Sequence, residues 1–280
     1  MAGVSTKEIK NRIRSMESTK QITKAMEMVA ASKLRHAQAR VADSRPYFNI
    51  LQETISDIVS ANHDFDSPYL QKSMVKQSVY VVIAGDRGLA GGYNSNILKL
   101  AEKDFGEKNV TVVPIGKKAI DYFRARKIPM LTEQYGVAAD IEVGECFSLA
   151  KQLCRMYLSG QIQELMIGYT NYVSVLSQTP SVFQMLPLSE YGSAQKSKQS
   201  EILYEPDSTQ VFEAIVPEFV GGMIYGALCE SRAAEQAARR TAMDAATQNA
   251  DEMIADLSLK FNQARQASIT QEITEIVAGS

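Results

Sequence analysis

The strongest candidate for chemistry in this chain is a glycine-rich turn at residues 85–92, GDRGLAGG. It follows an apolar run at 79–84, VYVVIA, and precedes a helical stretch that begins at Ser95. Such a turn can bind phosphate, because backbone N–H groups at a helix N-terminus point at the anion. The glycine spacing fits neither a Walker loop nor G-x-G-x-x-G. We therefore interpret it as a tight turn in which Arg87 pairs with a neighbouring carboxylate.

Other residues that could do chemistry are sparse. No cluster combines a nucleophile, an acid and a base, and His36 and His63 are isolated from metal-ligand partners. Cys146, Cys154 and Cys229 lack metal-ligand spacing and are expected to be reduced packing residues of a cytosolic protein. The sequence thus predicts no catalytic residue, no cofactor and no metal, and nothing in it indicates nucleic-acid binding.

Alternating strand and helix patterns surround the turn. Apolar, β-branched runs predict strands at 79–84, 109–115 and 164–170, and helical patterns fall at 95–105, 116–126 and 143–157. This alternation indicates βαβ units and a largely parallel sheet with helices on its faces. Residues 172–188 are expected to contain a partly exposed edge strand, 191–200 a loop, and 202–208 a short strand before a helix that begins near Ser208.

Both ends of the chain predict very long helices. Residues 227–280 contain no proline and no glycine until Gly279, and residues 4–45 contain neither until Pro46. At about 1.5 Å per residue these helices would be roughly 78 Å and 60 Å long, more than a small domain can cover. The sequence therefore predicts a shaft mounted on a globular head.

A 3.5-residue repeat indicates what the long helices bury. In the C-terminal helix the predicted seam is Ala250, Ile254, Leu257, Phe261, Ala264 and Ser268, preceded by the small residues Ala227, Ser231, Ala234, Ala238, Thr241 and Ala245. The N-terminal helix has a looser repeat at Ile9, Ile13, Met16, Ile22, Met26 and Val29. Residues 1–45 carry ten Lys/Arg and four Asp/Glu, and residues 227–280 five and eight. The opposite charges favour pairing of the two ends, although long heptad helices also serve as spacers or dimerisation rods.

Length and composition set further limits. The chain has 280 residues, at the border between one and two domains, and is 45% hydrophobic. It has no apolar run of about 18 residues, and its start lacks the apolar stretch of a secretory signal. We therefore expect a soluble protein without a membrane-spanning segment.

Several segments resemble the gamma subunit of F-type ATP synthases. Residues 22–33 (ITKAMEMVAASK) are similar to the N-terminal signature of that family, and residues 262–276 (NQARQASITQEITEI) to its C-terminal signature. The turn residues DRGL and GGYN, at 86–89 and 91–94, and the helix 235–244 (EQAARRTAMD) are also similar. The resemblance covers both ends and the middle of the chain in the family's order.

This resemblance implies an α/β fold with a long antiparallel coiled coil of N- and C-terminal helices and a central Rossmann-like α/β head. The implied divisions are an N-terminal shaft helix at 1–62, a head at 75–205 and a C-terminal shaft helix at 208–280. The family's gamma subunit is the non-catalytic rotor shaft. It turns inside a ring of three alpha and three beta subunits and sits with epsilon on the c-ring. The implied location is peripheral, on the cytoplasmic face of the bacterial plasma membrane, which the chain meets only through the c-ring.

The resemblance also implies contacts with the beta subunits. Arg265 and Gln266 match the place where the family's shaft hydrogen-bonds a beta-subunit catch loop, although they could be solvated polar positions beside the seam. Lys24, Met26 and Lys33 match the place where the N-terminal helix meets the lower lobes of beta. Met26 could equally be a seam residue.

Tyr204 and Glu205 match the foot of the head, where the family contacts the c-ring and epsilon, although Tyr204 could be an ordinary edge-strand aromatic. The family normally continues beyond Gly279 with a few small and apolar residues, so a short tip is expected here. Two other classes stay open at this point. One is a nucleotide-binding Rossmann enzyme with helical arms, and the other is an independent coiled-coil scaffold.

Overall fold

A computed structural model describes residues 6–61, 67–71, 77–188 and 207–279 of the chain. The described elements, in chain order, are α1 Thr6–Ala61, β1 Ser78–Ile83, α2 Tyr93–Phe105, β2 Val110–Ile115, α3 Lys117–Ala125, α4 Val143–Leu158, β3 Glu164–Tyr172, β4 Gln178–Leu186 and α5 Ser208–Ala278. By internal contacts the chain divides into two compact units. One consists of Met1–Ser32 and Arg239–Ser280, and the other of Lys33–Ala238.

The unit Lys33–Ala238 contains a four-stranded sheet in the order β2-β1-β3-β4. β1 pairs in parallel with both β2 and β3, and β4 pairs antiparallel with β3 at the edge. The predicted α/β fold with long terminal helices is thereby confirmed, including the partly exposed edge strand within 172–188. The predicted strand at 202–208 falls mostly outside the described residues.

Helices cover both faces of the sheet. Tyr80 and Val82 point to one face, where they join an apolar cluster with residues of α2 and α3. Val79, Val81 and Ile83 point to the other, against α4 and parts of α1 and α5. All six residues of β1 are buried, which explains why its sequence is a continuous apolar run rather than an alternating one.

α1 is longer than its proline-free stretch predicts, because it continues through Pro46 to Ala61. Proline lacks the N–H that would bond the carbonyl of Ala42. Both residues are exposed, so water can satisfy that carbonyl and reduce the cost of the interruption. α5 likewise contains Pro217 within its span.

α5 is the one described helix whose length and composition would allow it to cross a membrane. Its most apolar 18-residue window has a mean hydropathy of 1.4, and half of that window is buried inside the protein. Core helices of water-soluble proteins meet the same criterion, so this feature is weak evidence for a span.

Replacing Gly116 by alanine is expected to destabilise the fold by about 3 kcal/mol or more. Gly116 has φ +91° at the start of α3, and an added Cβ would lie 2.2 Å from the backbone oxygen of Ala84. Gly88→Ala is the matched control, because no atom lies within 4 Å of an added Cβ there. The midpoint of thermal unfolding of the full-length chain measures both. Equal midpoints for the two variants would contradict the expectation.

Candidate functional site

The unit formed by Met1–Ser32 and Arg239–Ser280 is an antiparallel pair of helical segments. The buried hydroxyls of Thr23 and Thr247 lie 2.7 Å apart across the pair, so one donates to the other. Lys20 forms an ion pair with Asp251 at 2.5 Å, one turn along each helix. Because residue numbers rise on one helix as they fall on the other, these two contacts establish the antiparallel register.

The seam of this coil runs partly through residues that the repeat did not predict. The prediction that Ile22 and Val29 are seam residues was wrong, because their exposed fractions are 57% and 55%. Thr23 and Ala30 are buried in their place. The hydrogen bond between Thr23 and Thr247 satisfies both hydroxyls, which allows polar side chains in a seam without an unsatisfied group.

The C-terminal seam is also shifted in its small-residue part. Thr241 and Ala245 are exposed, and Met243 and Thr247 are buried instead, whereas Ala250 is buried as predicted. From Ala250 onward the half-buried positions continue the same 3.5-residue repeat, at Ile254, Leu257, Phe261 and Ala264. Ser268, predicted as the next seam position, is exposed.

The predicted partner-contact residues of this unit differ in accessibility. Arg265 and Gln266 are exposed, and Arg265 forms no ion pair with the residues that the structure describes. Lys24 is exposed and bonded to Glu27 at 2.8 Å, and this hydrogen bond raises the pKa of Lys24. Met26 is half-buried.

The other predicted partner-contact residues are Lys33, Tyr204 and Glu205. Lys33 is exposed in the unit Lys33–Ala238. Tyr204 and Glu205, the predicted foot residues, lie outside the described residues, as does His63.

The glycine-rich turn carries a carboxylate, that of Asp86, which backbone N–H groups elsewhere in the chain bind. The carboxylate of Asp86 accepts hydrogen bonds from the backbone N–H of Ala138 at 2.8 Å, Ala139 at 3.2 Å and Lys117 at 3.4 Å. Lys117 is the first residue of α3, so Asp86 occupies the position where a helix N-terminus would attract phosphate. The predicted ion pair of Arg87 was wrong. Within the described part of the chain, Arg87 forms no ion pair and is exposed.

α5 packs against the same turn. Ala90 and Tyr93 are buried together with Ala234 of α5. Gly85 allows the close approach, because an added Cβ would lie 2.9 Å from the Glu235 carboxylate. In doubly wound folds, ligands bind at the carboxyl ends of the strands. Here that end of β1 is covered by a helix of the same chain, so Gly85 serves packing.

Arg232 is a positioning residue that the sequence did not single out. Its guanidinium donates from Nε to the Ala138 oxygen at 2.9 Å and from Nη2 to the Ile141 oxygen at 2.8 Å. It thereby joins α5 to the loop whose N–H groups bind Asp86. These contacts span more than ninety residues of sequence, so no local signal could have revealed them.

Asp86→Ala is expected to destabilise the chain by about 1–3 kcal/mol, because three backbone N–H groups lose a charged acceptor. The matched control is Asp121→Ala, which removes an exposed carboxylate on α3 that lies 3.9 Å from Arg124. The difference in thermal unfolding midpoint between the two variants is the measurement. If both lose the same stability, the Asp86 bonds contribute nothing beyond an ordinary surface charge.

The cysteines are all free and buried. Burial raises the pKa of Cys146 and Cys154 to about 12 and also raises the pKa of Cys229, so the thiols are held protonated. Among the described residues, no group of three or more His, Cys, Asp or Glu side chains could hold a metal ion.

Comparison with known proteins gives consistent matches over the whole length. Residues 5–280 match the sequence pattern of the ATP synthase family. The chain is 43% identical over 281 residues to the ATP synthase gamma chain of an Exiguobacterium species, covering 99% of this chain and 98% of the relative. It is 42% identical over 283 residues to the ATP synthase gamma chain of Ruminococcus albus, covering 98% and 97%.

Solved structures share the fold. A chain in the cryo-EM structure of the Euglena gracilis mitochondrial ATP synthase, OSCP/F1/c-ring in rotational state 3, aligns with a TM-score of 0.67 at 16% identity. The alignment covers 98% of this chain and 93% of that chain. A chain of the Tetrahymena thermophila central stalk and c-ring aligns with a TM-score of 0.60 at 21% identity, covering 80% and 99%.

Proposed function

This chain belongs to the ATP synthase gamma-chain family, and on that premise we propose that it is the central rotor shaft of an ATP synthase. The observation that carries the proposal is the match over residues 5–280, together with relatives that are more than 40% identical and named as gamma chains. The prediction from the signature segments is thereby confirmed, as is that of a non-catalytic subunit.

We propose that the shaft couples ion-driven rotation of the c-ring to the conformational cycle of the catalytic beta subunits. The proposed roles divide the chain at 1–62, 75–205 and 208–280, into shaft helix, head and shaft helix. The antiparallel coil, joined by the Thr23–Thr247 hydrogen bond and the Lys20–Asp251 ion pair, supports this division. A thin helical pair that resists twisting can transmit torque without an active site of its own.

The proposed partners are three alpha and three beta subunits, epsilon and the c-ring. This assembly would place the chain at the cytoplasmic face of the bacterial plasma membrane, as a peripheral subunit that meets the membrane through the c-ring. Similar chains in solved structures belong to the central stalk and c-ring, or to the rotor, of mitochondrial ATP synthases, which agrees with these partners.

The exposed side chains of the coil are the proposed contacts with beta. Arg265 and Gln266 are solvent-accessible, as a catch-loop contact requires. Lys24 and Lys33 offer positive charge to the lower lobes of the beta subunits. Met26 is half-buried, so it can serve both as a seam residue and as a contact with beta. Tyr204 and Glu205 remain the proposed contacts with the c-ring and epsilon.

Affinity purification of the full-length chain from its own cells tests the proposal. We expect alpha, beta and epsilon subunits to co-purify, with alpha and beta in threefold excess. A stable homodimer without these subunits would instead favour a coiled-coil scaffold. Tight, stoichiometric ATP binding by the chain alone, measured by calorimetry, would favour a nucleotide-dependent enzyme.

A further inference from the structure

A basic cavity of about 260 Å³ lies in the unit Lys33–Ala238. The residues of this cavity that matter here are Lys33, His36, Arg40, Cys229, Arg232 and Glu235. Lys33, His36 and Arg40 are spaced by three and four residues on α1, so they share one helix face. α5 supplies the opposite wall.

Three permanent cations, Lys33, Arg40 and Arg232, line this cavity. Within the described part of the chain, Lys33, Arg40 and Arg232 form no ion pair. Arg232 donates hydrogen bonds from Nε and Nη2 to backbone carbonyl oxygens. Its Nη1 forms no hydrogen bond with any described residue. Burial lowers the pKa of Arg232, and the nearby charge of Arg40 lowers it further. Two arginines thus repel each other across a partly desolvated space.

One carboxylate lines the basic cavity, and it does not balance these charges. Glu235 reaches toward the glycine-rich turn, where an added Cβ on Gly85 would lie 2.9 Å from its Oε1. Three permanent cations against one carboxylate leave a net positive site, to which His36 adds a ring N–H donor. An anion in this space would relieve the repulsion and satisfy the free donors.

We propose that the basic cavity is a binding site for a small tetrahedral oxyanion such as inorganic phosphate, held by Arg40, Lys33 and the free side of the Arg232 guanidinium. Arginine suits this role because its planar fork matches the oxygens of such an anion. Lys33 is shared with the proposed contact with beta, whereas Arg40 and Arg232 are not, so the anion site does not depend on whether the partner contacts proposed above are correct.

Cys229 lines the basic cavity but is buried, so its thiol reacts slowly, only when the walls of the cavity open transiently, and a bound anion that joins α1 to α5 would slow this opening. The rate of the reaction of Cys229 with N-ethylmaleimide is followed by peptide mass spectrometry, in sodium phosphate and in sodium chloride of equal ionic strength. Cys154 is the internal reference, since it is buried in the core beneath the sheet, against Tyr69. We expect phosphate to slow the reaction of Cys229 severalfold and to leave that of Cys154 unchanged. No protection, or equal protection by chloride, would overturn the proposal.

Matched variants then assign the effect to the cavity. Arg40→Gln is expected to raise the phosphate concentration for half-maximal protection about tenfold or more, because one charge-assisted contact is lost. Arg35→Gln removes the same charge from an exposed position on α1 outside the cavity and is expected to change nothing. If the phosphate concentration for half-maximal protection rose equally in both variants, the effect would be due to general electrostatics, and the proposed site would be contradicted.

An acidic side chain of a partner subunit could fill the same space. A comparison of two preparations distinguishes this alternative from a small bound anion. The full-length chain alone and the purified complex are each titrated with phosphate. Phosphate-dependent protection of the chain alone supports the small-anion site. Protection that is present only in the complex, and there independent of phosphate, would assign the cavity to a partner and contradict the proposal.

Discussion

Replacing Arg265 by alanine is expected to lower steady-state ATP turnover of the assembled complex about ten- to a hundredfold. Arg265 is exposed and forms no ion pair with the described residues, so its guanidinium is available to a partner carboxylate. A charge-assisted contact of this kind contributes about 1.5–3 kcal/mol. If it forms only at the limiting step, that energy corresponds to the stated loss of rate. Turnover of the purified complex at saturating ATP is the measurement.

Two further variants separate a specific contact from general disturbance of the helix. Arg265→Lys should restore only part of the rate, because lysine keeps the charge but loses the bidentate geometry. Gln263→Ala changes an exposed, uncharged side chain two residues earlier and should leave turnover unchanged. If Arg265→Ala turns over at the wild-type rate, Arg265 is a solvated surface residue, and torque must pass through distributed packing.

Replacing Leu257 by aspartate is expected to loosen the coil and uncouple proton pumping from ATP hydrolysis. Leu257 is a half-buried seam residue that lies beside Met16 and Met253. Losing its apolar contacts and placing a charge in the seam should cost about 2–4 kcal/mol, less than at a fully buried site. The ratio of pumped protons to hydrolysed ATP, measured in sealed vesicles, is expected to fall well below that of the wild type.

The control for this variant lies on the same helix. Leu259 is 59% exposed, so Leu259→Asp introduces the same charge outside the seam. It should assemble and pump as the wild type does. Wild-type coupling in Leu257→Asp, or equal defects in the two variants, would mean that the seam at this position does not transmit torque.

The sequence predicted the sheet well, because burial on both faces leaves a strong local signal. The run VYVVIA corresponds to β1, whose six residues are all buried, and the alternation around it corresponds to the parallel strands. The long helices were also predictable, from the absence of glycine and proline. Pro46 was misleading, since an exposed proline can be accommodated within a helix when water satisfies the freed carbonyl.

The details of the coil and the turn were not predictable from local patterns. The seam uses Thr23 and Ala30 where apolarity favoured Ile22 and Val29, because a cross-helix hydrogen bond makes threonine acceptable. Within the turn the carboxylate of Asp86, rather than a bound phosphate, accepts backbone hydrogen bonds, and two of its donors, the N–H groups of Ala138 and Ala139, lie about fifty residues downstream. Contacts of that range depend on the tertiary fold.

Observation of rotation tests the central claim most directly. All three native cysteines are buried, so Glu107→Cys, in the exposed connection between α2 and β2, introduces a selectively reactive thiol for a bead. The complex is immobilised through its beta subunits and supplied with ATP. A rotor shaft predicts continuous rotation of the bead in one direction, with three dwell positions per turn, one for each catalytic subunit. A bead that stays fixed while the same complexes hydrolyse ATP would contradict the assignment.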